Sequence, residues 1–386
     1  MNCDGYNPDY NEHYLKCNKA YQTEMIEPFY LAFVRAGRLN LNFSSYFHPK
    51  QWFRAHEMLF PHLRKALLIR YNNMATLNIL QFLRFAASLM MLLFHLNFVR
   101  SGYKGVDVFF VISGFVMYYS LFYKPRPKAF NFVINRLSKI FFLYWVALIL
   151  LYLIRPFKLE SSFFSSFLLI PGHYSVLGVS WSLSYELYFY FLIGAVAYLV
   201  PYKYHKQIFY LLFLISTSIT FINLTSFTLK GSFINFLFGG NFWEFLLGIA
   251  GSYLCVTYHK TIRPTTAKSI ALFSCLLIII IAIPYANPVS FLVYGPMSFL
   301  LVTFFAVYEK NRAVDDRLSK LFKILGDASY AIYLFGPIVT ILISANNNLS
   351  KIIIIIFTIC FSILFNQLIE NNFLIWVKSI KSQSCQ

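Results

Sequence analysis

The chain has 386 residues, of which 58% are hydrophobic and 20% aromatic, and only 12% carry a charge. A soluble globular protein has about 25% charged residues, so this composition excludes an ordinary soluble domain and points to the lipid bilayer. The net charge of +18 does not argue for nucleic acid, because the basic residues fall between apolar stretches, where positive loops of a membrane protein account for them.

Residues 1–73 are polar at first, then basic and aromatic, as in "FHPKQWFRAHEMLFPHLRKALLIRYNN". They lack the charged start, continuous apolar core and small-residue cleavage site of a signal peptide. Two readings stay open: an amphipathic segment lying on the inner membrane face, or a natural start at Met74. The six cysteines show no CxxC pairing, so neither a zinc site nor a disulfide framework is expected, and no metal is implied.

From there the chain alternates apolar runs with basic loops. A span needs about 20 mostly apolar residues. Ten runs qualify or nearly qualify: 77–98, 106–123, 139–154, 182–200, 207–223, 233–256, 267–284, 290–308, 328–345 and 352–377. The predicted fold is therefore an all-α polytopic membrane domain over 74–378, with a short tail at 379–386. Lys and Arg concentrate after the even-numbered spans, for example Lys124, Arg126, Lys128, Arg136 and Lys139 after the second. This asymmetry predicts that both termini are cytoplasmic.

Polar residues inside the spans are costly and so carry the functional signal. "QFLRFAASLMMLLFHLNF" holds Arg84 and His95, eleven residues apart. Eleven residues of helix turn through about 1100°, so both side chains point the same way, about 16 Å apart along the axis. Each alone has a plain structural reading, a snorkelling arginine or an interfacial histidine. In "YKGVDVFFVISGF", Asp107 opens the second span and is predicted to share the depth of His95, where a carboxylate fixes the imidazole tautomer; the alternative is a charge complementing the helix dipole. Gly105 would permit a tight entry, and Ser113 and Gly114 suit close helix packing.

"SWSLSYELYFY" places Ser182 and Glu186 on one helical face near the same predicted level, with Trp181 as an interface anchor. Ser182 reads as a helix cap more readily than as a nucleophile. "NRLSKIFFLYW" sets Arg136 and Lys139 at the mouth of the third span, where they suit an anionic cofactor or simple positive-inside anchoring. Glu244 in "NFWEFLLGI" needs a partner, for which Arg84 is the candidate, and Glu370 in "NQLIENNFLIW" reads as interfacial. Gly336-Pro337 predicts a local break in the ninth span.

In this order and spacing the motifs resemble the integral-membrane acyltransferase family 3, which includes bacterial O-acetyltransferases of surface polysaccharides. Arg84 and His95 match its Arg-x10-His signature, residues 105–115 its GVDVFFVxSGF block, and "WSLSYELYFY" its WSLSxExxFY block; the resemblance runs from about 77 to 376. It implies a donor, acyl-CoA (acetyl-CoA in the simplest case), reached from the cytoplasm, and a carbohydrate or lipid-linked glycan acceptor, in a multi-pass protein of the bacterial plasma membrane. It makes His95 the catalytic histidine, with Asp107 and Glu186 in support, and makes Arg84, Arg136 and Lys139 cofactor contacts. Two departures stand out. "SYAIYLFGPIV" has Gly336 where the pattern has a histidine, and the arginine block has Lys139 for an arginine and Phe142 for a proline. A secondary transporter or flippase, or a non-catalytic family member, remains the alternative.

Overall fold

The computed structural model describes residues 77–122, 129–155, 161–171, 176–225, 232–282, 291–312, 315–343 and 347–383. They belong to one unit, Asn72–Gln386. The 1–73 extension and the 124–128 stretch of the basic loop lie outside the described residues, as do the chain ends whose side the charge asymmetry predicts.

The described residues form helices α1 (Asn78–His95), α2 (Gly105–Phe122), α3 (Ala129–Ile154), the short α4 (Ser161–Phe167), α5 (Trp181–Leu199), α6 (His205–Thr225), α7 (Phe233–Phe238), α8 (Gly240–Tyr258), α9 (Pro264–Ala282), α10 (Phe291–Asn311), α11 (Asp316–Leu342), α12 (Asn348–Phe365) and α13 (Asn371–Gln383). A single 3-10 turn, Gly102–Lys104, leads into α2, and a π-helical turn, Asn366–Glu370, joins α12 to α13. No strand occurs among the described residues. Nine stretches among them are long and apolar enough to cross a membrane. The predicted seventh span is the exception, because its apolar helix runs only Pro264–Ile280.

Long helices in a bundle either face lipid or face each other, and the side chains sort accordingly. Leu153, Tyr198 and Leu199 stand outward, each more than two-thirds exposed. Such exposed apolar area is costly in water and neutral in hydrocarbon. Inside, α2 packs on α8 and α11 on α1. Small residues make the first contact possible: a Cβ on Gly114 would lie 1.9 Å from the Phe245 carbonyl oxygen, and one on Gly248 2.1 Å from that of Val111.

At one end of the bundle the backbone N–H groups of Asn78 and Ile79 donate to the Glu309 carboxylate, and Asn311 Nδ2 donates to the His259 carbonyl at 2.6 Å. The first of these caps α1 with a side chain from α10, since Leu77 at its N-cap offers none.

Two expectations need correction here. The third span begins at Ala129 rather than 139, so Arg136 and Lys139 lie within α3, two to three turns from its start, and not ahead of it. Nor is there a break at Gly336-Pro337, because α11 continues through Pro337 to Leu342. A proline removes one N–H donor, here the one that would reach the Tyr333 carbonyl, and the helix continues past that loss.

Candidate active site

Along α1 the residues Arg84, Ser88, Leu92 and His95 recur at helical spacing, and the stripe turns toward α11. Ser88 Oγ donates to the Ser329 carbonyl at 2.7 Å, and Leu92 fills the space over Gly336. Arg84 leaves this seam to line a cavity bounded by Val106, Phe109 and Phe110 of α2, Ser182, Leu183 and Glu186 of α5, and Tyr330 and Tyr333 of α11. The cavity is small, with about 30 Å³ of water-accessible space, and it is partly open to its surroundings.

Hydrogen bonds fix the polar wall. Ser113 Oγ, one face of α2 away from the packing glycine, donates to Glu186 Oε1 at 2.9 Å. Ser182 Oγ and the Tyr333 hydroxyl are 2.7 Å apart, and Tyr333 donates to the Val179 carbonyl at 2.8 Å. Ser182 is thus inside α5 and tied to α11 rather than capping its own helix; Ser180 holds the cap position. Tyr330 donates to the Ile140 carbonyl of α3 at 3.2 Å.

The predicted pairing of His95 with Asp107 does not form. The turn before α2 folds back along α1: a Cβ on Gly102 would lie 2.2 Å from the Met90 carbonyl oxygen, and one on Gly105 2.5 Å from that of Ala87. Ala87 is eight residues before His95, about 12 Å along the axis. The two glycines allow this approach, and Asp107 lies deeper still. Its carboxylate meets Lys104 at 3.7 Å, and the Lys104 ammonium sits over the Tyr103 and Tyr294 rings. Val106, Phe109 and Phe110 of the same turns of α2 line the cavity. His95 Nε2 is buried with no hydrogen-bond partner among the described residues.

Glu244 is not held by Arg84 either. It is fully buried, and neither oxygen has a hydrogen-bond partner among the described residues. Glu370, predicted as interfacial, is fully buried and forms an ion pair with Lys139 at 3.0 Å. Asn366 Nδ2 donates to Glu370 Oε2 at 2.8 Å. Lys139 therefore braces the π-helical turn, while Arg136 lies over the Phe132 ring. Trp181 is less than half exposed, which fits an interface anchor.

Among the described residues, no group of three or more metal-ligating side chains occurs. Sequence reasoning overlooked Ser113, Tyr330 and Tyr333 as site residues. The available signal was the Ser-Tyr-x-x-Tyr spacing of "SYAIY", which puts both phenols on one face of α11.

With this geometry in view, comparison with known proteins identifies the class. The family described as "Acyltransferase domain" matches residues 77–370. Exopolysaccharide production protein ExoZ of Rhizobium meliloti (strain 1021) is 29% identical over 258 residues, which cover 61% of this chain and 75% of that protein. No solved structure matches. The matched segment takes in α1 to the π-helical turn, with every residue of the cavity, and the chain belongs to this family as a multi-pass membrane acyltransferase.

Proposed function

We propose that this protein moves an acyl group, acetyl in the simplest case, from acyl-CoA to a hydroxyl of a cell-envelope or exported carbohydrate, across the plasma membrane of a bacterium with both termini cytoplasmic. The observation that carries the reading is the guanidinium of Arg84 in one cavity with the Glu186 carboxylate, at membrane depth, where neither would persist without a task. The name of the relative, a protein of exopolysaccharide production, supports a carbohydrate acceptor.

In this reading His95 takes the proton of the acceptor hydroxyl as its oxygen attacks the acyl carbonyl. Its buried, unpartnered Nε2 is available for that proton. Glu186, fixed by Ser113, supports the reacting groups from the cavity wall. Arg84 and Arg136 hold the donor. Asp107 acts at one remove, by anchoring the start of α2 through Lys104, and Lys139 does so by bracing the π-helical turn through Glu370. No step requires a metal.

The test is mass spectrometry of envelope glycans from cells with and without the protein, together with transfer of label from [¹⁴C]acetyl-CoA in isolated membranes. An acyl mass increment that depends on the protein and disappears in His95→Ala is expected. Identical glycans, with label moved across the membrane but not covalently transferred, would instead indicate a transporter.

A further inference from the structure

A second polar cluster lies outside the cavity, where α2, α8 and α10 pack on one another. The three helices run side by side in one direction. Just ahead of α2, the Lys104 ammonium is 5.6 Å from the centre of the Tyr294 ring, and near the other end of α2 the Tyr119 ring lies under the Lys310 ammonium. A Cβ on Gly295 would lie 3.2 Å from Glu244 Cγ, and two turns further along α8 one on Gly251 would meet Thr303 Oγ1. The shared start of these helices therefore gathers Lys104 and Asp107, Glu244, and Tyr294 with Ser298. Asp107 Oδ2, both oxygens of Glu244, the Tyr294 hydroxyl and Ser298 Oγ are all buried without a hydrogen-bond partner among the described residues. Tyr294 and Ser298 are one turn apart on the same face of α10.

Lys104 meets Asp107 at 3.7 Å, which leaves Glu244 to be balanced. The helices packed against α8 bring no second cation to that turn. On α10 the only charged residues are Glu309 and Lys310, at its other end. On α6 they are His205 and Lys206, in the first turn, and Lys206 donates to Tyr253, more than two turns beyond Glu244. The short α7 has none. From α5 come the Tyr185 and Tyr188 phenols and Glu186, which Ser113 holds. A carboxylate at membrane depth without a countercharge neutralises itself by taking up a proton.

We infer that the α2–α8–α10 junction is a proton-binding site, lined by the Tyr294 and Ser298 hydroxyls, in which Glu244 carries the proton and Asp107 keeps its charge beside Lys104. Two carboxylates, one ammonium and one proton leave the junction neutral. The bound proton also keeps the ammonium on Asp107, and so holds the start of α2, where Val106, Phe109 and Phe110 line the cavity. Its loss would draw Lys104 toward Glu244 and release that turn, so the site couples proton binding to the cavity wall. It depends on neither the donor nor the acceptor proposed above.

Infrared spectra of the purified full-length protein test this, because a protonated carboxyl has a C=O stretch that a carboxylate lacks. At neutral pH in choline chloride, the wild type should show such a band that is lost in Glu244→Gln. Asp107→Asn should lose it too, since Lys104 is then left to Glu244. Lys104→Met should instead gain a second band, as Asp107 takes up a proton of its own. Dicyclohexylcarbodiimide, which adds to protonated carboxyls in apolar surroundings, should mark Glu244 and spare Glu370, whose charge Lys139 balances; peptide masses read both sites. A carboxyl region unchanged by Glu244→Gln would overturn the inference, as would labelling of Glu370 with none at Glu244. A band that vanishes when sodium replaces choline would also overturn it, and would assign the junction to a metal cation. If Asp107→Asn does not survive size-exclusion chromatography, Lys104→Met decides the charge balance, and an unchanged spectrum there would refute it.

Discussion

Ser113 offers a narrow test of whether the cavity wall matters, because its replacement changes almost nothing else. Ser113→Ala removes the one hydrogen bond that fixes Glu186 Oε1, at 2.9 Å, and keeps the small side chain that lets α2 lie against its neighbours. A hydrogen bond to a charged group contributes about 1.5–3 kcal/mol. If all of it holds the carboxylate in its working position, the loss in kcat/KM should be roughly 10- to 150-fold at about 1.4 kcal/mol per decade. Folding should be nearly unaffected, because the freed carboxylate oxygen still borders the cavity. The assay is initial-rate acetyl transfer in membranes, with Glu186→Gln and the double variant alongside. The double variant should be hardly worse than Glu186→Gln alone, since the two side chains act as one unit. A Ser113→Ala enzyme within twofold of wild type, or a fully additive double variant, would refute the idea that this contact positions a working carboxylate.

Three further outcomes are expected. His95→Ala should abolish transfer, a loss of about 10²–10⁴-fold for the general base alone, while free-CoA binding measured by calorimetry stays near wild type. Gly248→Leu should prevent α2 from reaching α8, because even a Cβ there meets the Val111 carbonyl oxygen at 2.1 Å, and the protein should be lost from detergent extracts on size-exclusion chromatography. A single cysteine placed in the 259–263 loop of a cysteine-free protein should resist impermeant maleimide in intact cells; ready labelling would reverse the proposed orientation.

Most of the spans were legible because span length and charge sparsity are set by the bilayer itself, although nine rather than ten are long and apolar enough among the described residues and the third helix starts ten residues before its predicted place. Glycine at 114 was correctly read as a packing residue, since helices in lipid approach closely where side chains are small. Partner choice was much harder to read. Glu244 and Glu370 both look alike in sequence, single carboxylates in apolar helices, yet one is paired with Lys139 and the other has no hydrogen bond among the described residues. What separates them is the rotation of α3 against the π-helical turn, which depends on the whole bundle and leaves no local trace. Arg136 was placed ahead of its helix and Lys139 at the first residue of it for a simpler reason: the apolar run begins at Ile140, while the helix begins about three turns earlier at Ala129.

The displaced Asp107 shows why depth cannot be counted from the ends of apolar runs. A chain leaving α1 at His95 and entering α2 ten residues later suggests two helices meeting at one surface. Instead the intervening residues run back along α1, because Gly102 and Gly105 let the backbone lie against the Met90 and Ala87 carbonyls. The start of α2 is thereby sunk below the end of α1, and α5 joins it there, since Ser182 near its first turn reaches Tyr333 of α11. The cavity is a consequence of this sinking: Val106, Phe109 and Phe110 would otherwise stand at the membrane surface and could not close over Arg84. Arg84 then lies deep in the bundle, while His95 lies at the far end of α1. Enlarging Gly105 should therefore damage catalysis through the position of α2, not through any contact with substrate. Gly105→Val should raise α2 away from the Ala87 carbonyl and impair turnover of acetyl-CoA. Normal kinetics in a well-folded Gly105→Val protein would show that the sunken start of α2 is incidental to the reaction.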